Sequence, residues 1–469
     1  MLDDLLPQQD GRYLRLSLGQ KCLAGENHHR LHHLPHGKTR ESASRCSAGD
    51  CGDAGLEALV RHSPSLDHGE RGFDRAVDDP RYRRTREVRD DHRSRLDHGG
   101  PHSRETRTSS TGVVPRDCRE RHAFSRRQCG EVLVGSVSRF HGSRVLVTGG
   151  LGFIGSNVAV ALQSADAEVT VLDNLTAQHG GDRRNLAGTD GIRVVIGDIA
   201  DHELVAELLR ETDFVFNLAG QVSHHESMTD PIRDTQVNVV AQLEFLESVR
   251  RHRPEACIVH SSTRQVYGVP SYLPVDEAHP THPRDINGAN KLAGETYHRI
   301  YANVHSLKTV CLRLSNIFGP RQCLSKPGLG FMPVFMSRVQ KGEPLRVFGD
   351  GSQTRDCLYV DDLVTAILES ATRLDDGRLP PGEVINIGHE QVLSLREIAD
   401  RICSIAMSGS HVEHVPWPPD LDRIDIGAFQ GDYQKAKRLL HWTPRTSFDQ
   451  AVARTLDFYG ENPWYLSSI

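Results

Sequence analysis

Between residues 144 and 173 the chain reads as strand, glycine turn, helix, strand and carboxylate. Arg144–Thr148 (RVLVT) is a short apolar strand, and Gly149-Gly150-Leu151-Gly152-Phe153-Ile154-Gly155 follows it. A helical run, Ser156–Ser164, leads to a second strand, Glu168–Leu172, which ends at Asp173. Few folds accommodate this order. Gly149 permits a tight turn, Gly152 lets backbone approach a pyrophosphate, and Gly155 lets helix and strand pack closely. The free N–H groups at the helix start then face the phosphates. Asp173 lies 24 residues past Gly149, where a carboxylate holds both ribose hydroxyls and repels a 2′-phosphate. The expected cofactor is NAD rather than NADP.

The alternation continues. Strands are expected at Ile192–Ile196, Phe214–Asn217, Cys257–Ser261 and Thr309–Leu314, with helices at Asp201–Arg210, Val237–Arg251 and Gly288–Val304. Strand–helix alternation over this length predicts an α/β fold, a doubly wound parallel (Rossmann) sheet. Gly197-Asp198-Ile199 ends the third strand at the cofactor edge. Asp198 either receives the adenine amino group or caps the next helix, a place that favours Asp.

The first 140 residues are a different sequence. They hold 25 Lys and Arg against 21 Asp and Glu, whereas the rest holds 31 against 41. The first isoleucine of all 469 residues is Ile154. Segments such as RYRRTREVRDDHRSRLDHGG show no apolar period of a helix or strand, so residues 1–140 are expected to be disordered. Three readings stand for them. A metal site would draw on Cys22, His28, His29, His32, His33, Cys46 and Cys51, at spacings that match no familiar zinc pattern. A basic arm is diluted by interleaved acids. A mis-assigned extension fits the bias, with Val132, Val134 or Val137 as the true start. A chain begun near Val137 is therefore expected to melt like the full one.

The net charge of −6 gives no reason to expect nucleic acid as a partner. No apolar run approaches the roughly 18 residues of a membrane span. The start, MLDDLLPQQD, lacks the basic-then-apolar order of a signal peptide. Ten cysteines without a Cys-x-x-Cys pair make neither a disulfide framework nor a zinc module, so no metal is expected and the location is expected to be cytoplasmic.

From Arg144 to about Tyr459 the chain resembles the extended short-chain dehydrogenase/reductase family, especially its NAD-dependent nucleotide-sugar epimerases and dehydratases. Thr148-Gly149-x-x-Gly152-x-x-Gly155 resembles TGxxGxxG, and Asn217-Leu218-Ala219-Gly220 is similar to HxAA beside the nicotinamide. Ser261-Ser262-Thr263-Arg264-Gln265-Val266-Tyr267-Gly268 resembles SS(S/T)xxVYG, and Arg313–Pro320 resembles RxxNxYGP. Phe348–Asp362 resembles FGDGxxxRDxxYVxD, and Leu440-His441-Trp442-Thr443-Pro444 resembles LGWxP. The resemblance implies NAD contacts at Gly149, Gly152, Phe153, Ile154, Gly155, Asp173, Asn174, Asp198, Ile199, Leu218, Ala219 and Lys291. It implies a nucleotide-sugar substrate held by Asn316, Arg346 and Arg355, with Thr263 touching the sugar. It also implies an NAD-binding domain over 141–318, to which about 355–390 returns, a smaller C-terminal substrate lobe over 319–469, and a homodimer through the helices 237–251 and 288–304.

Two departures bear on the chemistry. The family's catalytic pair is Tyr-x-x-x-Lys, and here Asn287-Gly288-Ala289-Asn290-Lys291 keeps the lysine but not the tyrosine. An amide does not titrate near neutral pH, so Asn287 orients a hydroxyl or a water rather than taking a proton. Asn287→Tyr is expected to preserve or raise turnover, unless the site is built around Asn287 and the ring clashes. Secondly, Arg264 and Gln265 stand where dehydratases carry Asp-Glu, which favours epimerisation over water loss. His224, His225 and Tyr272 are candidates to replace the tyrosine, or surface groups. Tyr267 packs or lines the cofactor pocket, and Cys257, Cys311 and Cys403 read as core thiols. The alternatives are another oxidoreduction or dehydration of a nucleotide sugar, or a silent protein that binds both ligands.

Overall fold

The computed structural model describes residues 137–176, 179–326 and 328–467. The metal ligands considered for the extension, and the starts at Val132 and Val134, lie outside the described residues. Seven strands form one parallel sheet: β1 (Arg144–Thr148), β2 (Glu168–Asp173), β3 (Arg193–Ile196), β4 (Phe214–Asn217), β5 (Cys257–Thr263), β6 (Thr309–Leu314) and, later in the chain, β11 (Glu383–Ile387). Their order is β11-β6-β5-β4-β1-β2-β3, and every neighbouring pair is parallel. From the edge strand β3 the chain crosses back to β4, beside β1. Ligands of such sheets bind where the order reverses, beyond the carboxyl ends of the strands.

Alternate residues of β1 feed two cores. Val145 and Val147 pack with Val158 of the helix Phe153–Gln163 and Ile367 of the helix Val360–Asp375. Leu146 points the other way, into a cluster with Val205, Phe245 and Tyr301 from the helices His202–Leu209, Ala241–His252 and Ile286–His305. Helices on both faces explain why every residue of β4 and β6 is buried.

The boundary expected at residue 140 cuts into this core. Phe140, in the short turn Val137–Phe140, is fully buried, and its ring lies 5.0 Å edge-on from Phe214. Other boundaries also move. The first helix begins at Phe153, not Ser156, so Phe153, Ile154 and Gly155 form its first turn. The helix expected from Val237 opens with a wide π turn, Gln236–Val240, before Ala241–His252.

The C-terminal region builds a second core from the helices Phe331–Gln340, Leu395–Ala406 and Phe448–Glu461, through Phe335, Ile398 and Val452 among others. Three short pairings accompany it: β7 (Asn316–Phe318) with β10 (Cys357–Tyr359), β8 (Leu345–Phe348) with β13 (Val412–Val415), and β9 (Thr354–Arg355) with β12 (Leu393–Ser394). The helix Gln434–Leu440 and Trp442 return to the first core.

Candidate active site

The glycine turn has the shape its spacing implies. Gly149 adopts φ +66°, and a Cβ there would lie 2.9 Å from the backbone of Ala219. The turns after β1 and β4 therefore touch at the switch point. A Cβ at Gly155 would lie 2.2 Å from the Gly149 carbonyl oxygen, which no side chain tolerates. The helix behind them is preceded by Gly152, which offers no side chain to cap it, so its first N–H groups are free for phosphate oxygens. Leu218 and Ala219 are tied to β1: their N–H groups donate to the Thr148 carbonyl (3.3 Å) and to Thr148 Oγ1 (3.2 Å).

Asp173 anchors the far side of this cradle. Its Oδ2 accepts from the Leu151 N–H at 3.0 Å and its Oδ1 from the Leu175 N–H at 2.8 Å. Burial pushes its carboxyl up, and these two donors pull it back. Asn174 Nδ2 donates to Asp198 Oδ2 at 2.8 Å, and Asp198 Oδ1 accepts from the Ala200 N–H at 3.0 Å. The cap of the following helix is Asp201, which removes that reading for Asp198. Ile199 is buried in the core beneath.

Lys291 and Thr263 lie at the carboxyl end of β5. Lys291 is 6 % exposed, and its Nζ is 3.5 Å from the Ser261 carbonyl oxygen. Gly220 makes room for it, because a Cβ there would lie 2.7 Å from that Nζ. Burial pushes the ammonium down to about 8, with Asp234 pulling the other way. Two buried imidazoles, His260 and His298, stack with centroids 4.2 Å apart. Burial holds His260 far down and His298 at about 3, helped in each case by the Lys291 charge, so both are neutral. Thr263 Oγ1 accepts from the Gln265 N–H at 3.2 Å.

Asn287 is 2 % exposed and occupied by protein partners. Its Nδ2 donates to Gln221 O (2.9 Å), Gln221 Oε1 (3.0 Å) and Asp234 Oδ2 (3.0 Å). Asn238 and Asn290 donate to the other oxygen of Asp234, at 3.1 and 2.8 Å. The residue in the tyrosine's place is thus part of a buried amide–carboxylate knot. Sequence reasoning missed Gln221, Asp234 and Asn238, which belong to segments distant from residue 287.

Around Thr263 several polar atoms have no protein partner. Arg264 Nη1, Gln265 Oε1 and Asn316 Oδ1 are buried and unpaired. The Arg264 guanidinium lies 5.0 Å from the Phe429 ring centroid. Arg355 is engaged within the protein, donating to the carbonyls of Thr354 (2.8 Å) and Gly427 (2.6 Å) and lying 3.2 Å from Asp425 Oδ1. Arg346 is exposed on β8, 3.3 Å from Glu413. Tyr267 packs: it is fully buried and donates to Asn386 Oδ1 at 2.7 Å, and burial pushes its phenol up to about 12. Tyr272 is exposed and bonded to Asp276. Cys257 and Cys311 are buried and Cys403 is half-buried. Among the described residues no group of three or more His, Cys, Asp or Glu is arranged to hold a metal.

This arrangement has known relatives. The family model described as NAD dependent epimerase/dehydratase family matches residues 145–388. The chain belongs to this family. It is 31% identical to UDP-glucose 4-epimerase of Mycolicibacterium smegmatis over 318 residues, 67% of this chain and 98% of that one. It is 32% identical to dTDP-glucose 4,6-dehydratase of Xanthomonas campestris pv. campestris over 348 residues, 69% of this chain and 95% of the relative. Among solved structures, an epimerase from Methanothermobacter thermautotrophicus superposes with a TM-score of 0.66 at 30% identity, over 72% of this chain and 98% of that one. UDP-glucose 4-epimerase of Thermotoga maritima, solved with UDP-glucose, gives 0.62 at 30% identity over 68% and 99%. The family's cofactor is NAD, and the uncapped helix, the glycine cradle and Asp173 of this chain fit it. No described helix is long and apolar enough to cross a membrane.

Proposed function

We propose that this epimerase/dehydratase-family chain epimerises a nucleotide-activated sugar through a transient keto sugar. NAD supplies the hydride acceptor. The carrying observation is the pair of side chains after Thr263. Arg264 and Gln265 offer no carboxyl to serve as the acid and base of water loss, while Thr263 and Lys291 remain at the end of β5. Thr263 orients the sugar hydroxyl. Lys291 holds the nicotinamide ribose. Asn316, with a free Oδ1, receives the nucleotide-sugar, with Arg346 and Arg355 as further contacts. The exposed Val240, Leu243, Ile300 and Val304, on helices 241–252 and 286–305 and the turn before them, favour a homodimer.

Asn287 supports a second reading, a silent protein that binds NAD and a nucleotide sugar. Its amide hydrogens are already committed to Gln221 and Asp234. One experiment separates the two. Purified protein is incubated with NAD and UDP-, dTDP-, GDP- and CDP-sugars, and products are followed by chromatography. A new epimer supports the enzyme. Binding without any new sugar supports the silent protein, and a 4-keto-6-deoxy product would point to dehydration.

A further inference from the structure

Oxidising a sugar hydroxyl to a ketone removes a hydride from carbon and a proton from oxygen, and the proton needs an acceptor. Few groups near Thr263 qualify. Asn287 does not titrate, Tyr267 is buried with its hydroxyl committed to Asn386, and the Lys291 ammonium is enclosed against Ser261 and Gly220. His224 differs from all three.

His224 opens the helix His224–Thr229, directly after the loop that carries Leu218, Ala219 and Gly220. This helix docks onto the start of the Lys291 helix at two points. The Asn287 N–H donates to Ser227 Oγ at 3.1 Å, and Ser227 Oγ in turn donates to the His224 carbonyl at 2.8 Å. His224 Nδ1 lies 3.1 Å from Asp285 Oδ2, off the hydrogen-bond axis. The same carboxylate receives Gln265 Nε2 at 3.4 Å, and the Gln265 N–H reaches Thr263 Oγ1 at 3.2 Å. Gln265 and His224 therefore flank one carboxylate, two residues before the place of the missing phenol, and Thr263 is joined to it through the Gln265 backbone. The Asp285 side chain is 1% exposed and His224's is 34%, so the imidazole sits against a buried anion and is itself partly exposed. Gly328, from the segment after β7, approaches next door: a Cβ on it would lie 2.9 Å from Ser223 Oγ.

We infer that His224, oriented by Asp285, is the proton acceptor for the sugar hydroxyl. The inference rests on the epimerase reading. As the carbinol C–H bond breaks, its hydride passes to NAD; as the O–H bond breaks, its proton passes to His224 Nε2, and the C=O forms. Both return in the second half of the cycle, so no other oxidant or base is consumed. The Asp285 carboxylate beside Nδ1 stabilises the imidazolium by its charge, as a buried carboxylate does for a general-base histidine. Gly288 N–H donates to its other oxygen at 2.6 Å, which keeps the carboxylate in place. Glu226 on the same helix lies 3.5 Å from His179, whose imidazole also feels the charges of Arg233 and Asp234.

The test uses the full chain with NAD and whichever nucleotide sugar it turns over. His224→Gln should lower kcat by about 10²–10⁴-fold with NAD affinity and Tm unchanged. His224→Ala should regain part of the rate with added imidazole. Asp285→Asn, which still caps the helix, should cut kcat while leaving NAD affinity and Tm unchanged. A His224→Gln enzyme with wild-type kcat and pH profile would overturn the inference while the epimerase reading stands; a profile governed by a group near pH 8 would then point to Lys291. A wild-type protein that turns over no sugar overturns both.

Discussion

Asn287 Nδ2 and Asp234 Oδ2 are 3.0 Å apart inside the protein, and this contact joins the start of the Lys291 helix to the helix Pro231–Thr235. The side chain standing where a phenol is expected thus acts as a structural donor. Asn287→Tyr removes donors from Gln221 and Asp234 and adds a ring to a filled space. A buried acceptor left unpaired costs about 1–3 kcal/mol, and overpacking costs about as much again. The variant should lose roughly 3 kcal/mol and any turnover, which favours the clash over the rebuilt Tyr-x-x-x-Lys pair. Urea unfolding measures it; a variant as stable as the parent and more active would reverse the conclusion.

Lys291 should make the cofactor-free protein sensitive to pH. The unfolded lysine keeps its proton to pH 10.5, and the folded one releases it at about 8. Between these values the unfolded chain binds more protons, so stability rises with pH. The cost of burying the ammonium is complete below pH 8 and gone above 10.5, and amounts to something on the order of 3 kcal/mol. Lys291→Met should therefore raise Tm at pH 7 and lose that lead by pH 10.5. Calorimetry across this range decides it, and a lead constant with pH would refute the burial cost.

Asp173 should select NAD. Its carboxylate already orders the Leu151 and Leu175 N–H groups, and a 2′-phosphate would meet its negative charge at close range. Titration calorimetry should show NADP binding at least about tenfold weaker, a difference of roughly 1.4 kcal/mol. Asp173→Asn should narrow that gap. Equal affinities in the parent protein would contradict the assignment.

Phe140 sets the practical start of the fold. Its ring fills a space against Phe214 and Phe216, and Phe140→Ala should cost about 3–5 kcal/mol. A chain begun at Val137 should melt above one begun at His141. Identical melting curves for the two would show that the ring is dispensable.

The sheet, the glycine cradle and Asp173 were legible because their information is local. Turn glycines, strand periodicity and a carboxylate at a set spacing all act within about thirty residues, so β1, the turn, the helix and β2 could be read in order. The starts of helices were less legible: Phe153 and Ile154 resemble turn residues until the helix forms around them. What tertiary structure alone decided lies at longer range. Asn287 meets Gln221 and Asp234 from 66 and 53 positions away, and His224 meets Asp285 across the same fold. Arg355 is drawn toward Asp425 and Gly427, 70 and 72 positions on. No period encodes such pairs, because they arise from how rigid helices dock on the sheet. The sequence by itself determined the dinucleotide fold and the loss of the tyrosine; packing decided that Asn287 became a buried tether and that His224 came to face a carboxylate.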